Sequence, residues 1–392
     1  MSKRVELHPA SIKHIKKGHP WVTKDKYSLN FPNRDLFLWS KTGENERVML
    51  LNDPEHSQVK ARVWSIIHQN DTFTDKTFKE ELTQRLEKAK TFRESLNLNR
   101  ENYFLCFAEA DQLPGLYIIV LKDRVLLQLY SSFWQHFEKT LITFLRKYFK
   151  DDKVWIQKRN KEQAKIFQCL SKKVKEDSFE LEEFGVKYKI QLNQNYDIGI
   201  YTDMAAIRNR LSGSFADKDV LNLYSYTGAY SLFALNDGAK TVTSVDLSKK
   251  YIKVLEDNLS LNDLTEKHLS IVGATLPVLQ KLIKEGKTFD SIICDPPSSS
   301  TDGKKRTKAI DTYKDLLPLF NKLLNKKGEA LIFLNTHSIT RNKFESKIKE
   351  YNKDNIFSIT GHLKLTEDCP SLKGFPEGDY LKGLKLLKKK SL

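Results

Sequence analysis

From about residue 191 onward, short apolar runs of strand length alternate with amphipathic stretches of helix length. That alternation leaves few architectures open. Val220-Leu221-Asn222-Leu223-Tyr224 reads as a buried strand and Ala229 to Leu235 as a helix; strand Val242-Thr243-Ser244-Val245 and helix Lys249 to Asn258 follow. Strand Ser291-Ile292-Ile293-Cys294, helix Thr312 to Leu324 and strand Ala330-Leu331-Ile332-Phe333-Leu334 complete the pattern. Consecutive βα units predict an α/β domain with a mostly parallel, doubly wound sheet, helices on both faces and a ligand at the carboxyl ends of the strands.

The 392 residues exceed one ordinary domain. Residues 1–70 carry short alternating runs, Arg4-Val5-Glu6-Leu7, Val48-Met49-Leu50-Leu51 and Val59 to Ile67, broken by Gly43-Glu44-Asn45 and Asn52-Asp53-Pro54. They predict a small β barrel. Between its strands, Ile12 to Val22 predicts a short helix with lysines, Lys16 and Lys17 among them, on its solvent side. Trp21 and Trp64 are expected in the core. Residues 71–190 read as α+β: a helix from Thr77 to Ser95 with Phe78, Leu82, Leu86, Ala89 and Phe92 on one face, strands near 103–107, 116–121 and 125–130, and a helix through Leu141 to Leu145. Residues 191–392 form the doubly wound domain.

Lysine and arginine total 66 against 50 acidic residues, a net charge of +16. An excess of that size favours a polyanionic partner. It is spread along the chain, apart from a short Lys388-Lys389-Lys390 cluster, and the basic stretch Gln157-Lys158-Arg159-Asn160-Lys161 is expected to be a solvated surface. No apolar run reaches the length of a membrane span, and Met1-Ser2-Lys3-Arg4-Val5-Glu6 carries no apolar signal-peptide core, so a cytoplasmic protein is expected. Cys106, Cys169, Cys294 and Cys369 lie far apart without Cys-x-x-Cys spacing. Neither a metal site nor a disulfide framework is expected from them.

Three strand ends carry residues with a common chemistry. Tyr224-Ser225-Tyr226-Thr227-Gly228 turns sharply from strand to helix, and Gly228 lets backbone approach a ligand closely. About twenty residues on, Asp246 ends the next strand, placed to accept hydrogen bonds from both hydroxyls of an adenosine ribose. In Cys294-Asp295-Pro296-Pro297-Ser298 two prolines lack N–H donors, so the loop presents its carbonyls and the Asp295 carboxylate as acceptors suited to a base amine or ring N–H.

With these motifs in view the sequence resembles the bacterial PUA-domain large-subunit rRNA methyltransferases, the family of the 23S rRNA cytosine-5 enzyme and the related half of a fused guanine methyltransferase. His19-Pro20-Trp21-Val22 and Lys60-Ala61-Arg62-Val63-Trp64 are similar to its PUA domain, and Glu109 to Leu116 to the entrance of its central domain. Leu221 to Gly228 is similar to its S-adenosylmethionine loop, and Tyr313-Lys314-Asp315 and Phe375 to Gly383 match later motifs. The resemblance implies a Rossmann-like methyltransferase domain preceded by PUA and α+β central domains. It also implies methyl transfer from S-adenosylmethionine to structured rRNA.

Four departures accompany it. The cytosine-5 enzymes need a thiolate to attack the pyrimidine ring. Thr336, in Leu334-Asn335-Thr336-His337-Ser338, stands at the cysteine's place, and Ser298 at the other known location. Cys294 is expected to be buried, which leaves Cys369 as the remaining candidate. Val272-Gly273-Ala274-Thr275 lacks the acidic residue relatives place near the adenine, and Asp203-Met204-Ala205-Ala206-Ile207-Arg208 keeps Asp203 and Arg208 but loses the middle arginine of the family's segment.

The expectation is therefore a methyltransferase acting on a base of large-subunit rRNA without a cysteine nucleophile, leaning toward a purine nitrogen. Asn222, Tyr224, Ser225, Tyr226, Thr227, Gly228, Asp246 and Asp295 would hold S-adenosylmethionine, and Asp295, Pro296, Asn335 and Thr336 would face the target base. Lys16, Lys17, Arg62 and Arg208 are the expected phosphate contacts. The alternative is a non-catalytic RNA-binding protein that retains the fold.

Overall fold

The computed structural model describes residues 2–159, 166–193, 197–301 and 306–389. Asn160, Lys161 and Lys390 of the two basic stretches lie outside the described residues, as do the side chains of Ser299 and Ser300. The chain groups into two compact units, where three domains were expected: Met1–Ser178 with Gln191–Ile198 and Glu367–Gly378, and Phe179–Ile190 with Gly199–Thr366 and Asp379–Leu392.

The first unit holds two five-stranded sheets. One orders β1 (Lys3–Arg4), β3 (Phe37–Lys41), β4 (Glu46–Asn52), β5 (Val59–His68) and β2 (Trp21–Thr23), with helix α1 (Pro9–Lys16) between its first two strands. The other runs from β6 (Asn102–Phe107) through β7 (Leu116–Leu121), β8 (Arg124–Leu129) and β9 (Val154–Lys158) to β10 (Gln168–Cys169). Helix α2 (Asp75–Ser95) starts at a capping box of Thr74 and Thr77 and buries Phe78, Leu82, Leu86 and Ala89, as their spacing predicts. Phe92 instead points to solvent. Arg93 takes the buried position and forks onto Asp111 with two 2.6 Å hydrogen bonds, a pairing that periodicity of apolar residues does not reveal.

One apolar core joins the two sheets: Phe37 and Trp64 pack with Phe78 and, beside helix α3 (Glu138–Leu145), with Trp134. Sharing a core is why the first two expected domains form one compact unit. Trp21 is only partly buried, its indole donating to Glu109 Oε1 at 2.7 Å and lying 4.6 Å from the Phe375 ring. Motifs from three distant stretches of sequence thus converge here.

The second unit begins with most of hairpin β11 (Asp177–Glu183) and β12 (Val186–Leu192), from Phe179 to Ile190, and the short helix α4 (Ala205–Asn209). Then follow β13 (Asp219–Leu223), α5 (Ala229–Asn236), β14 (Thr241–Asp246), α6 (Lys249–Leu261), β15 (His268–Val272), α7 (Thr275–Lys284) and β16 (Phe289–Cys294). A short pair, β17 (Ser299–Thr301) and β18 (Arg306–Lys308), leads into α8 (Ala309–Leu323), β19 (Leu324–Asn335), α9 (Arg341–Tyr351), β20 (Phe357–Lys364) and β21 (Leu381–Lys388). The sheet orders β15-β14-β13-β16-β19-β21-β20. Its first five strands are parallel, and β21 and β20 close it antiparallel. The chain steps outward from β13 to β15 and returns on the other side at β16, so the strand order reverses beside β13, where open α/β sheets hold ligands. The expected elements all occur here, while β15, β20, β21, α7 and α9 went unread. The strand β15 has half-exposed residues and β21 is rich in lysine, which blurs the continuous apolar signature of a buried strand.

Candidate active site

The turn after β13 is built from strained backbone. Tyr224 and Tyr226 both adopt positive φ, 56° and 51°, and Gly228 follows at 90°. Left-handed non-glycine residues cost about 1–3 kcal/mol each and persist where surrounding structure fixes them. Gly228 is required for a second reason: a Cβ there would lie 2.5 Å from Leu255 Cγ on α6 and 2.9 Å from Leu232 Cδ1. Helix α5 can start where it does because that side chain is missing.

Asp246, at the end of β14, ties the turn down. Its Oδ2 accepts from the Tyr226 N–H at 2.9 Å and its Oδ1 from the Ser248 N–H at 2.8 Å. A carboxylate has about four acceptor positions, so two remain for ribose hydroxyls. Leu247, immediately after it, is 73% exposed, and Val272, paired in register with Asp246 at the end of β15, is 50% exposed. Two exposed apolar side chains at neighbouring strand ends suit the faces of an adenine ring. An apolar residue directly after an acidic strand end was the available signal, and sequence reasoning passed over it.

Two expected cofactor contacts have other employment. Asn222 is buried, and its amide donates to Ser231 Oγ at 2.8 Å, the first link in a row through Ser244 Oγ to His268 Nε2. It braces β13, α5, β14 and β15 from within, and burial pushes His268 down to about 4. Thr227 is likewise buried, donating from Oγ1 to the Gly199 carbonyl at 2.5 Å. By contrast the Ser225 and Tyr230 hydroxyls are buried without a hydrogen-bond partner. Orphaned polar atoms beside the turn are what a bound polar ligand would satisfy.

Asp295 follows β16 at the sheet's carboxyl edge, half-buried, with Pro296 buried behind it. Loss of surrounding water, with the Asp203 carboxylate nearby, pushes its carboxyl up to about 7. On the next strand, β19, the last residue, Asn335, is exposed, and Thr336 just beyond it is half-buried. Tyr313 from α8 pins the two strands, its hydroxyl accepting from the Phe333 N–H at 3.1 Å and lying 2.5 Å from the Phe333 carbonyl and 3.1 Å from that of Cys294.

All four cysteines are buried and unbridged. Burial pushes the Cys294 thiol up, and Cys369 is 1% exposed. Thr336 bonds its hydroxyl to Ser338 Oγ at 3.0 Å. No group of metal-ligating side chains occurs among the described residues, and none of the helices among them is long and apolar enough to cross a membrane.

The expected phosphate contacts divide. Lys16 and Lys17 are exposed, with Lys16 3.7 Å from Glu46. Arg62 and Arg208 are corrections: each is buried, Arg62 between Asp53 (2.8 Å) and Glu109 (2.7 Å), and Arg208 forked onto Glu183 at 2.6 and 2.9 Å. Their charges are spent on internal carboxylates, which a sequence count of basic residues cannot foresee.

The sheet order, the turn after β13 and the acid at the end of β14 define a Rossmann-like nucleotide-binding methyltransferase fold. A family profile described as S-adenosylmethionine-dependent methyltransferase matches residues 137–388, and the chain belongs to that family. It is an enzyme of that class, with S-adenosylmethionine as methyl donor. Among curated proteins it is 27% identical to the ribosomal RNA large subunit methyltransferase I of Shewanella amazonensis, covering 98% of this chain and 99% of that one. It is 28% identical to the protein of the same name from Cronobacter sakazakii, covering 98% of each. Among solved structures, the SMU.776 protein, assigned as a methyltransferase and solved with SAH, superposes with a TM-score of 0.86 at 22% identity over 98% of this chain and 100% of that one. A Streptococcus mutans protein assigned as a SAM-dependent methyltransferase superposes at 0.82, with the same identity and coverage.

Proposed function

We propose that the enzyme methylates a base of large-subunit ribosomal RNA at a nitrogen, without a cysteine nucleophile. The substrate rests on similarity along the whole chain to proteins named for that activity. The chemistry rests on one observation, that all four cysteines are buried, taken with the family resemblance, by which Thr336 and Ser298 stand where a cysteine nucleophile would be expected. A neutral hydroxyl is a poor nucleophile for ring attack. A base nitrogen needs only its lone pair aimed in line at the donor.

When bound, S-adenosylmethionine supplies a sulfonium methyl group. The turn from Tyr224 to Gly228 and Asp246 hold it, with the Ser225 and Tyr230 hydroxyls as further partners. Asp295, the Pro296 carbonyl and Asn335 orient the base, and orientation with proximity contributes much of the acceleration. Residues 1–70 act as a PUA-like RNA-binding domain and 71–190 as a central domain, with Lys16 and Lys17 contacting phosphate. The test is transfer of labelled methyl to rRNA from cells lacking the protein. Incorporation into large-subunit RNA is expected; none, with SAH binding intact, would overturn the substrate.

A further inference from the structure

Three tyrosine rings meet beside the cofactor turn, and holding the cofactor does not account for them. The Tyr226 ring centroid lies 4.6 Å from that of Tyr251 on α6 and 5.2 Å from that of Tyr201, which precedes α4. The row ends at Tyr201, 46% exposed. A lone aromatic side chain at a surface is ordinary, but this row stands on fixed backbone. Tyr226 keeps its ring at φ 51°, a conformation that glycine adopts without strain. Its N–H donates to Asp246 Oδ2 at 2.9 Å, and the Tyr251 N–H donates to Ser248 Oγ at 3.3 Å. At the other end, Thr227 of the turn donates to the Gly199 carbonyl, and the Arg208 guanidinium, already forked onto Glu183, donates to the Tyr201 carbonyl at 3.1 Å. The buried arginine expected at a phosphate therefore fixes the backbone of an exposed ring.

Charge lies next to the row. Lys249 and Lys250, directly before Tyr251, are both exposed, and neither forms an ion pair among the described residues. Lys253, one turn on, pairs with Asp257 at 2.9 Å. In the first turn of a helix a lysine opposes the helix dipole, so the folding of α6 does not call for these two charges. An aromatic face held rigid beside unpaired cations matches the chemistry of single-stranded nucleic acid, whose bases stack while its phosphates take the positive charge.

We propose that Tyr201 is a stacking platform for an unpaired base of the RNA substrate, backed by Tyr226 and Tyr251, with Lys249 and Lys250 contacting the adjoining phosphates. This rests on the RNA reading of the substrate and deepens it. Such a contact reads whether the strand is unpaired rather than which base it carries, because every base has a π face.

The test measures binding of the full chain to oligouridine and to an RNA duplex of the same length. Tyr201→Ala is expected to weaken oligouridine binding about 5- to 150-fold, the scale of one base stacked on one ring. Tyr201→Phe should stay within about twofold of wild type, as should SAH affinity and duplex binding in both variants. Replacing both lysines by alanine should lower the slope of log affinity for oligouridine against log salt by about 1.4, roughly 0.7 for each phosphate contact on a single strand. Unchanged oligouridine binding in Tyr201→Ala, an equal loss in Tyr201→Phe, a matching fall in SAH affinity, or an unchanged salt slope in the lysine variant would each overturn the proposal. Should Tyr201→Ala not fold, Tyr201→Leu decides, since it keeps apolar bulk without a π face and should lose affinity equally. A wild-type enzyme that methylates no rRNA yet shows these losses overturns the substrate and leaves Tyr201 in place. One that methylates rRNA while Tyr201→Ala binds oligouridine normally overturns the platform alone.

Discussion

Replacing Gly228 with alanine tests how the cofactor turn is built. The residue sits at φ 90°, and an added Cβ would come within 2.5 Å of Leu255 Cγ and 2.9 Å of Leu232 Cδ1. Left-handed backbone costs an L-residue about 1–2 kcal/mol. Forcing a methyl group into packed leucines costs about 1–3 kcal/mol more. The sum, about 2–5 kcal/mol, corresponds to a fall in Tm of roughly 5–15 °C for a unit of this size. Gly213→Ala is the control: its φ is 75°, but nothing lies within 4 Å of the added Cβ, so only the backbone cost applies. Thermal unfolding of both variants with and without SAH separates clash from strain. Equal shifts for the two would refute the packing argument, and a Gly228→Ala protein within about 1 °C of wild type would refute the whole reading of the turn.

Arg208→Ala leaves the buried Glu183 carboxylate uncompensated, so urea unfolding should show a loss of about 3–5 kcal/mol, while the salt dependence of RNA binding stays unchanged in any variant that folds. A lowered salt slope without loss of stability would make Arg208 a phosphate contact after all. Asp295 carries a sign that can be checked. Its carboxyl sits near 7 when folded against 3.8 unfolded, so the wild type loses stability as pH rises from about 4 to about 7 and is level above. Asp295→Asn, lacking this penalty, should gain in Tm relative to wild type across that window and stay ahead at pH 8, with methyl transfer reduced. A Tm difference that does not change with pH would contradict it.

The parallel sheet was legible because β13 and β16 carry short apolar runs, β14 alternates valines with small and β-branched polar residues, and helical stretches separate them. The strand-end acids were legible because each ends such a run. What stayed hidden depends on contacts between distant residues. Arg62 and Arg208 look like surface charges until Asp53, Glu109 and Glu183 are folded against them. Asn222 looks like part of a ligand loop until Ser231 is brought round by α5. Tyr380 lies 177 residues from Asp203, and no local pattern joins them. Leu247 is different, since its position after Asp246 was readable and the fold only supplied its exposure.

On the proposed mechanism the buried cysteines take no covalent part, and acceptors at Asp295 and Asn335 hold the base. Large-subunit rRNA from cells lacking the protein, methylated in vitro with deuterium-labelled S-adenosylmethionine, can be digested to nucleosides and weighed. One labelled nucleoside methylated on a base nitrogen, formed at the same rate by Cys369→Ala, is expected. Labelled 5-methylcytidine would contradict it.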